Sequence, residues 1–319
     1  MRRHVFVLIA VVWVVTSCHT PVRSPSTQPS RDELAELWSL PEPNRDLYWG
    51  VGGEALAPDP KAIYTVVEIK KGGFSTGLSV KDPDDRKWSV KFPPEASTEI
   101  VASRLLWGVG FHQPPQYYVG EWNATGAPDP NPQLPGRFRE SKPKELHGLE
   151  AQGNWSYYDN PFVGTREMNG LLVLQVMLGN SDLKDEQNFI YKLKEPFEGV
   201  KRWYVARDLG QSLGRTGVFE APRGDVKIFE QTPFIRGMQG RYVRFEWRGR
   251  HSVLLERITP EDVQWICLRL QALTDQQWDD AFRAGGYAPE MANRFITRFK
   301  QKIDEGLALP VGESKGQAR

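Results

Sequence analysis

The chain has 319 residues, with 41 basic and 40 acidic side chains and a formal net charge of +1. That length allows one large domain or two small ones. A charge so close to neutral gives no case for a nucleic-acid or polyanion partner.

The N-terminus reads as a targeting segment. Met1-Arg2-Arg3-His4 is basic, and Val5 to Val15 is an uninterrupted apolar run too short to span a bilayer comfortably. Small residues then lead to a cysteine, Val15-Thr16-Ser17-Cys18, which resembles a bacterial lipobox. The resemblance implies a signal peptide over residues 1–18 and acyl chains on Cys18 that hold the protein to a lipid bilayer. An ordinary signal peptide with an incidental cysteine is the plain alternative. His19 stands where inner-membrane lipoproteins usually carry Asp, so the expected location is the outer membrane, facing the periplasm. Cys267 is the other cysteine, and its apolar helical surroundings predict a buried core thiol.

Residues 19–44 are rich in Pro and Ser and read as a tether ending in a short helix over Asp32–Leu40. Three strands are predicted next, at Ile63–Val67, Leu78–Val80 and Trp88–Phe92, with a glycine turn (Gly72, Gly73, Gly77) between the first two. A helix over Ala96–Val109 is capped by Ser97 or Thr98, with Glu99 in its first turn. Gly120–Asn160 is long, polar and rich in Pro and Gly, and predicts a structureless insert. Within it, Arg137 and Arg139 suit either phosphate contact or loop-anchoring ion pairs. His147 has no partner at metal-site spacing.

Leu171–Leu178 is apolar nearly all round, so a buried helix is predicted, stopped at Gly179-Asn180. A polar loop follows with Asp182, Asp185, Glu186, Gln187 and Asn188. Phe189–Tyr191 and Arg202–Ala206 read as a hairpin that ends on Asp208-Leu209-Gly210. Thr259-Pro260-Glu261 opens the first of three amphipathic C-terminal helices.

The order of these pieces resembles the catalytic core of atypical protein-kinase-like folds, in the HipA-like, phosphatidylinositol-kinase-like and CotH-like groups. Asp182-Leu183-Lys184 is similar to a catalytic-loop Asp-Leu-Lys, and Asp208-Leu209-Gly210 to a metal-binding Asp-Phe-Gly. The resemblance implies an α+β, two-lobe fold: a small β-rich N-lobe with one helix over 45–120, and a larger, mostly helical C-lobe over 121–309. The insert lies at 121–160, and residues 310–319 form a polar tail. It implies that Gly73 and Gly77 cover phosphate, that Lys91 reaches it, and that Glu99 pairs with Lys91. Asp182 would orient the attacking hydroxyl. Asp208 and Asn188 would hold Mg²⁺ or Mn²⁺ on ATP or another nucleotide. These groups place the metal-side amide five residues after the catalytic Asp, where Gln187 stands, so Gln187 and Asn188 both remain candidates.

The implied substrate is a protein or small-molecule hydroxyl, and the alternative is an inactive pseudokinase acting as a binding module. Read blandly, Asp182 sits in a surface loop, Lys91 is a strand lysine and Glu99 complements a helix dipole. A calcium loop starting at Asp182 would need Gly sixth and Glu twelfth, where Gln187 and Leu193 stand.

Overall fold

The computed structural model describes residues 22–70, 77–126, 135–140, 148–197, 199–218 and 221–311. Cys18, Gly73 and His147 lie outside these residues.

Alternation of apolar and polar side chains folds the first part of the chain into three consecutive antiparallel strands: β1 (Ile63–Lys70), β2 (Gly77–Lys81) and β3 (Lys87–Lys91). Asp82 closes the β2–β3 turn by accepting from the backbone N–H groups of Asp84 and Arg86 at 3.1 and 2.9 Å. Helix α2 (Glu95–Gly108) follows, then β4 (Tyr117–Val119), β5 (Asn123–Thr125) and β6 (Gly136–Glu140). The strands form one six-stranded sheet in the order β4-β6-β3-β2-β1-β5.

The sheet has two unlike faces. Tyr64, Val80, Trp88, Val90 and Phe138 fill one face, with Trp122 edge-on to Phe138 at 4.9 Å between centroids. The period of two puts Ser79, Ser89, Lys91, Arg137 and Arg139 on the other face, beneath α2.

Three expectations are corrected. The polar stretch 120–160 is not a structureless insert. Its strand β6 lies between β3 and β4, so the N-lobe sheet extends beyond residue 120 to Glu140. Its strand β7 (Glu150–Asn154) joins a second sheet with β8 (Phe189–Phe197) and β9 (Val200–Val205). These strands escape an apolar pattern search because β7 is mostly exposed and β6 buries arginines in ion pairs.

The second correction concerns the cap of α2. The helix begins at Glu95 after Pro94, without a side-chain cap, and neither Ser97 nor Thr98 serves. The third is the first helix, α1, which is only Arg31–Leu34, capped by Ser30. Beyond it Trp38 pairs with Phe111 and donates from Nε1 to the Val109 carbonyl at 2.7 Å.

The buried helix α3 (Arg166–Leu178) is as expected. Thr165 caps it, and it ends at Gly179 with φ of 75°. Helix α4 (Val226–Gln231) and the hairpin β10 (Ile235–Gln239)–β11 (Tyr242–Phe245) come next. Helices α5 (Pro260–Gln271), α6 (Asp275–Ala284) and α7 (Pro289–Leu307) complete the helical lobe. Thr259 and Thr274 each form a capping box, and Phe229, Phe282, Phe295 and Phe299 pack at the lobe's centre. Cys267 is fully buried, and burial pushes its thiol up to about 12.

His112 and Gln113, between α2 and β4, pack the N-lobe against the second sheet. The His112 ring stacks on Trp203 at 5.0 Å, and burial lowers its pKa to about 4, so it is a neutral packing group. Gln113 donates to the carbonyl of Ala206 at 3.1 Å, at the end of β9.

Candidate active site

The centre of the candidate site is Lys91, the last residue of β3. Its ammonium lies 2.5 Å from Asp208 Oδ1, 3.2 Å from Glu99 Oε2 and 3.4 Å from Glu95 Oε2. Burial acts to lower its pKa, but Glu99 and Asp208 outweigh this and hold it above the ordinary lysine value.

Glu99 is fully buried one turn into α2, and two arginines of β6 also converge on it. Arg137 Nε lies 3.4 Å from Oε2, and Arg139 Nη1 lies 3.1 Å from Oε1. Burial alone would raise the carboxyl; Arg137, Lys91 and Arg139 instead hold it well below the usual carboxylate range. Burial pushes Arg137 down to about 10, which still leaves it charged at neutral pH. The expected Lys91–Glu99 pair is present, and it sits in a larger ion cluster.

Asp208 adopts a left-handed backbone, φ 57° and ψ 56°. An Asp tolerates this better than most residues, though at some cost in strain. That conformation turns its carboxylate onto Lys91. The next residues are clamped to α2: Thr98 donates to the Gly210 carbonyl at 2.7 Å, and Arg223 pairs with Glu95. Gly77 lies directly across from Lys91 in the β2–β3 register. A Cβ there would come within 2.9 Å of the Val90 carbonyl oxygen.

The second acidic turn is held by its own network. Asn180 donates to Gln175 Oε1 at 2.9 Å and accepts from the Asp182 N–H at 3.1 Å. Leu183 is fully buried and Lys184 is exposed, while the largely buried Asp182 carboxylate lies 2.8 Å from the Lys184 ammonium. Ser181 donates to the Gly217 carbonyl at 2.9 Å and reaches Gln211 Oε1 at 3.4 Å. The two acidic turns are thereby tied together just beyond Gly210.

Residues 154–157 shape the far end of this loop. Asn154 donates to the carbonyls of Glu186 and Asn188 at 2.7 and 3.0 Å, and Asp185 accepts from the Tyr157 N–H at 3.1 Å. The Asn188 side chain is buried, donates to the Trp155 carbonyl at 3.5 Å and hydrogen-bonds Tyr157. Gln187 differs: its Oε1 is buried and finds no donor among the described residues. An orphaned amide oxygen at that position suits a divalent cation better than an amide already engaged.

Lys91, Glu99 and Asp208 are therefore brought together, while Asp182 and Asn188 share a separate loop fixed to the same edge. Glu95, ahead of the predicted helix start at Ala96, also touches Lys91. Sequence reasoning missed Lys70, Arg207 and Arg223.

No family model matches this chain, and no curated protein matches it. Solved structures similar to it include two kinases. A Helicobacter pylori proinflammatory kinase, CtkA, aligns with a TM-score of 0.43 at 12% identity, covering 75% of this chain and 94% of its own. The Golgi casein kinase aligns with a TM-score of 0.40 at 11% identity, covering 82% of this chain and 74% of its own. TM-scores this low carry no weight by themselves. The two-lobe, kinase-like layout rests on the sheet, on α2 and on the Lys91–Glu99–Asp208 cluster.

Proposed function

We propose that this chain is an exported, lipid-anchored, kinase-like protein that binds a metal–nucleotide complex and transfers a phosphoryl group to a protein or small-molecule hydroxyl. The observation that carries the reading is Lys91, held between a helix glutamate and the carboxylate that follows the hairpin. Phosphoryl transfer uses such a lysine on the phosphates, a glutamate to aim it and an aspartate beside the metal. When bound, Mg²⁺ or Mn²⁺ would supply positive charge against the phosphates. Asp208, 28% exposed, and the amide oxygen of Gln187 are the groups suited to hold that ion, with Asn188 supporting the loop. Asp182 would accept the hydroxyl proton, beside the cation of Lys184.

A thermal-shift titration of the mature chain tests the binding step. A magnesium nucleotide at about 100 times its dissociation constant should stabilise the fold by roughly 2.7 kcal/mol, and Asp208→Asn should reduce the shift. No shift with any nucleotide and divalent metal would end the nucleotide reading.

A pseudokinase is the second reading. It is favoured by the engagement of Asn188 with Trp155 and Tyr157, which removes one amide from the metal side. It predicts nucleotide binding without turnover.

The anchor rests on Cys18 and the run before it. Cys18→Ala should leave the protein unprocessed or released from the membrane fraction. A wild-type protein found unanchored with a free Cys18 thiol would overturn this.

A further inference from the structure

The polar face of the N-lobe sheet carries more positive charge than the Lys91–Glu99–Asp208 cluster uses. Lys70 on β1 is opposite Gly77 on β2, Gly77 is opposite Lys91 on β3, and Lys91 is opposite Arg137 on β6. This cross-strand row spans roughly 14 Å at ordinary strand spacing. Glycine at its second position puts no side chain between Lys70 and Lys91.

The next row adds Arg139, opposite Ser89. Lys70 reaches across to the Ser89 hydroxyl at 3.4 Å, and Arg137 donates to the Ser89 carbonyl at 3.1 Å. From the other lobe Arg207, the residue before Asp208, stacks on Phe189 at 4.0 Å and donates to the Tyr191 hydroxyl at 2.9 Å.

The charges here do not balance. Glu95 is shared by Arg223 and Lys91, Asp208 pairs with Lys91, and Glu99 is shared among Lys91, Arg137 and Arg139. The remaining nearby carboxylate, Glu68, is exposed. Arg137 Nη2 and Arg207 Nε are buried N–H groups that find no acceptor among the described residues. Burial lowers the pKa of Lys70; Glu68 opposes this, and Arg139, Arg137 and Arg207 add to it. Cations that crowd one another over orphaned donors form a site built for an anion. Arg139 is 14% exposed and Lys91 22% exposed, so a ligand entering the cleft can reach the row.

We propose that this row, with Arg207, is a clamp for a phosphate chain, and that Lys70, Arg139 and Arg207 take a polyphosphate directly, without a divalent cation. The ligand class is a nucleoside triphosphate or inorganic tripolyphosphate. The clamp deepens the kinase-like reading of the same cleft and rests on it for location, but it does not require turnover.

The test is calorimetric titration of the mature chain with sodium tripolyphosphate, and separately with ATP, both in EDTA. Wild type should bind both. Lys70→Gln and Arg207→Gln should each weaken tripolyphosphate binding about 10-fold or more, the loss expected for a charge-assisted bond. Arg207→Lys, which keeps the charge but not the planar fork, should recover much of the loss; a guanidinium needed only to brace Tyr191 would give no such recovery. Equal affinity for the two ligands assigns recognition to the chain itself, and tighter ATP binding assigns the triphosphate of a nucleotide. The clamp is overturned if folded wild type ignores tripolyphosphate in EDTA, or if both Gln variants bind it unchanged. Loss of tripolyphosphate binding with magnesium-nucleotide binding retained would sink the clamp and leave the proposed function standing. Tripolyphosphate binding without any phosphoryl transfer would do the reverse.

Discussion

Asp182→Asn should lower phosphoryl transfer by about 100- to 10,000-fold, the range that general-base assistance supplies, while nucleotide affinity stays nearly unchanged. The geometry sets this split. Asp182 contacts Lys184 and hangs from the Asn180–Gln175 network, whereas Asp208 contacts Lys91 at the other acidic turn. Asp208→Asn should therefore lose both turnover and affinity, because the phosphates and their metal lose an anchor. The measurement is transfer of labelled phosphate, self-phosphorylation included, by wild type and both variants. Equal activity in all three would mean that the wrong carboxylates have been chosen. Binding without activity in wild type would make the protein a pseudokinase. If Asp182 serves only as a loop cap, its substitution costs about 1 kcal/mol of stability and nothing else.

Glu99→Gln should be the most destabilising conservative change in the N-lobe. The amide has the same shape, but it leaves Lys91, Arg137 and Arg139 without the fully buried carboxylate that they share. Breaking a buried ion pair by removing one partner costs about 3–5 kcal/mol, against a total stability of about 5–15 kcal/mol for a typical domain.

The effect has a pH signature. The folded-state pKa of Glu99 lies below the unfolded one, so its contribution is complete above the ordinary carboxylate range and fades as pH falls through and below it. Denaturant unfolding at pH 7 and at pH 4 should show a smaller gap between wild type and variant at the lower pH. A gap that does not shrink would mean that Glu99 acts through packing and not through charge.

Much of this site was legible from order alone. Lys91, Glu99 and Asp208 each close or follow a well-punctuated element, so their positions survive errors of a residue or two in strand ends. The buried α3 and the three C-terminal helices were equally plain, since Gly179, Thr259 and Thr274 mark their ends. What the sequence hid was register. Arg137 and Arg139 meet Glu99 only because β6 pairs with β3 across more than forty residues, and no local pattern encodes that pairing. Lys70 and Arg207 were missed for the same reason. The choice between Gln187 and Asn188 turns on a single backbone carbonyl, that of Trp155, which comes from a stretch whose polarity disguises a strand.

Helix α2 is fastened at two points to the segment after Asp208, by Thr98 on Gly210 and by Glu95 on Arg223. Swinging the helix outward would break a buried ion pair and a buried hydrogen bond in one movement. At about 3 kcal/mol for the ion pair alone, fewer than about one molecule in a hundred would occupy such a displaced state at rest. The same displacement would pull Glu99 from Lys91 and release the turn that aims Asp208, so the two halves of the cleft move as one lever. A protein latched in this way stands ready by default. Any agent that silences it must supply the energy to undo both fastenings, and one that touches only the outer rim of the cleft leaves the latch closed.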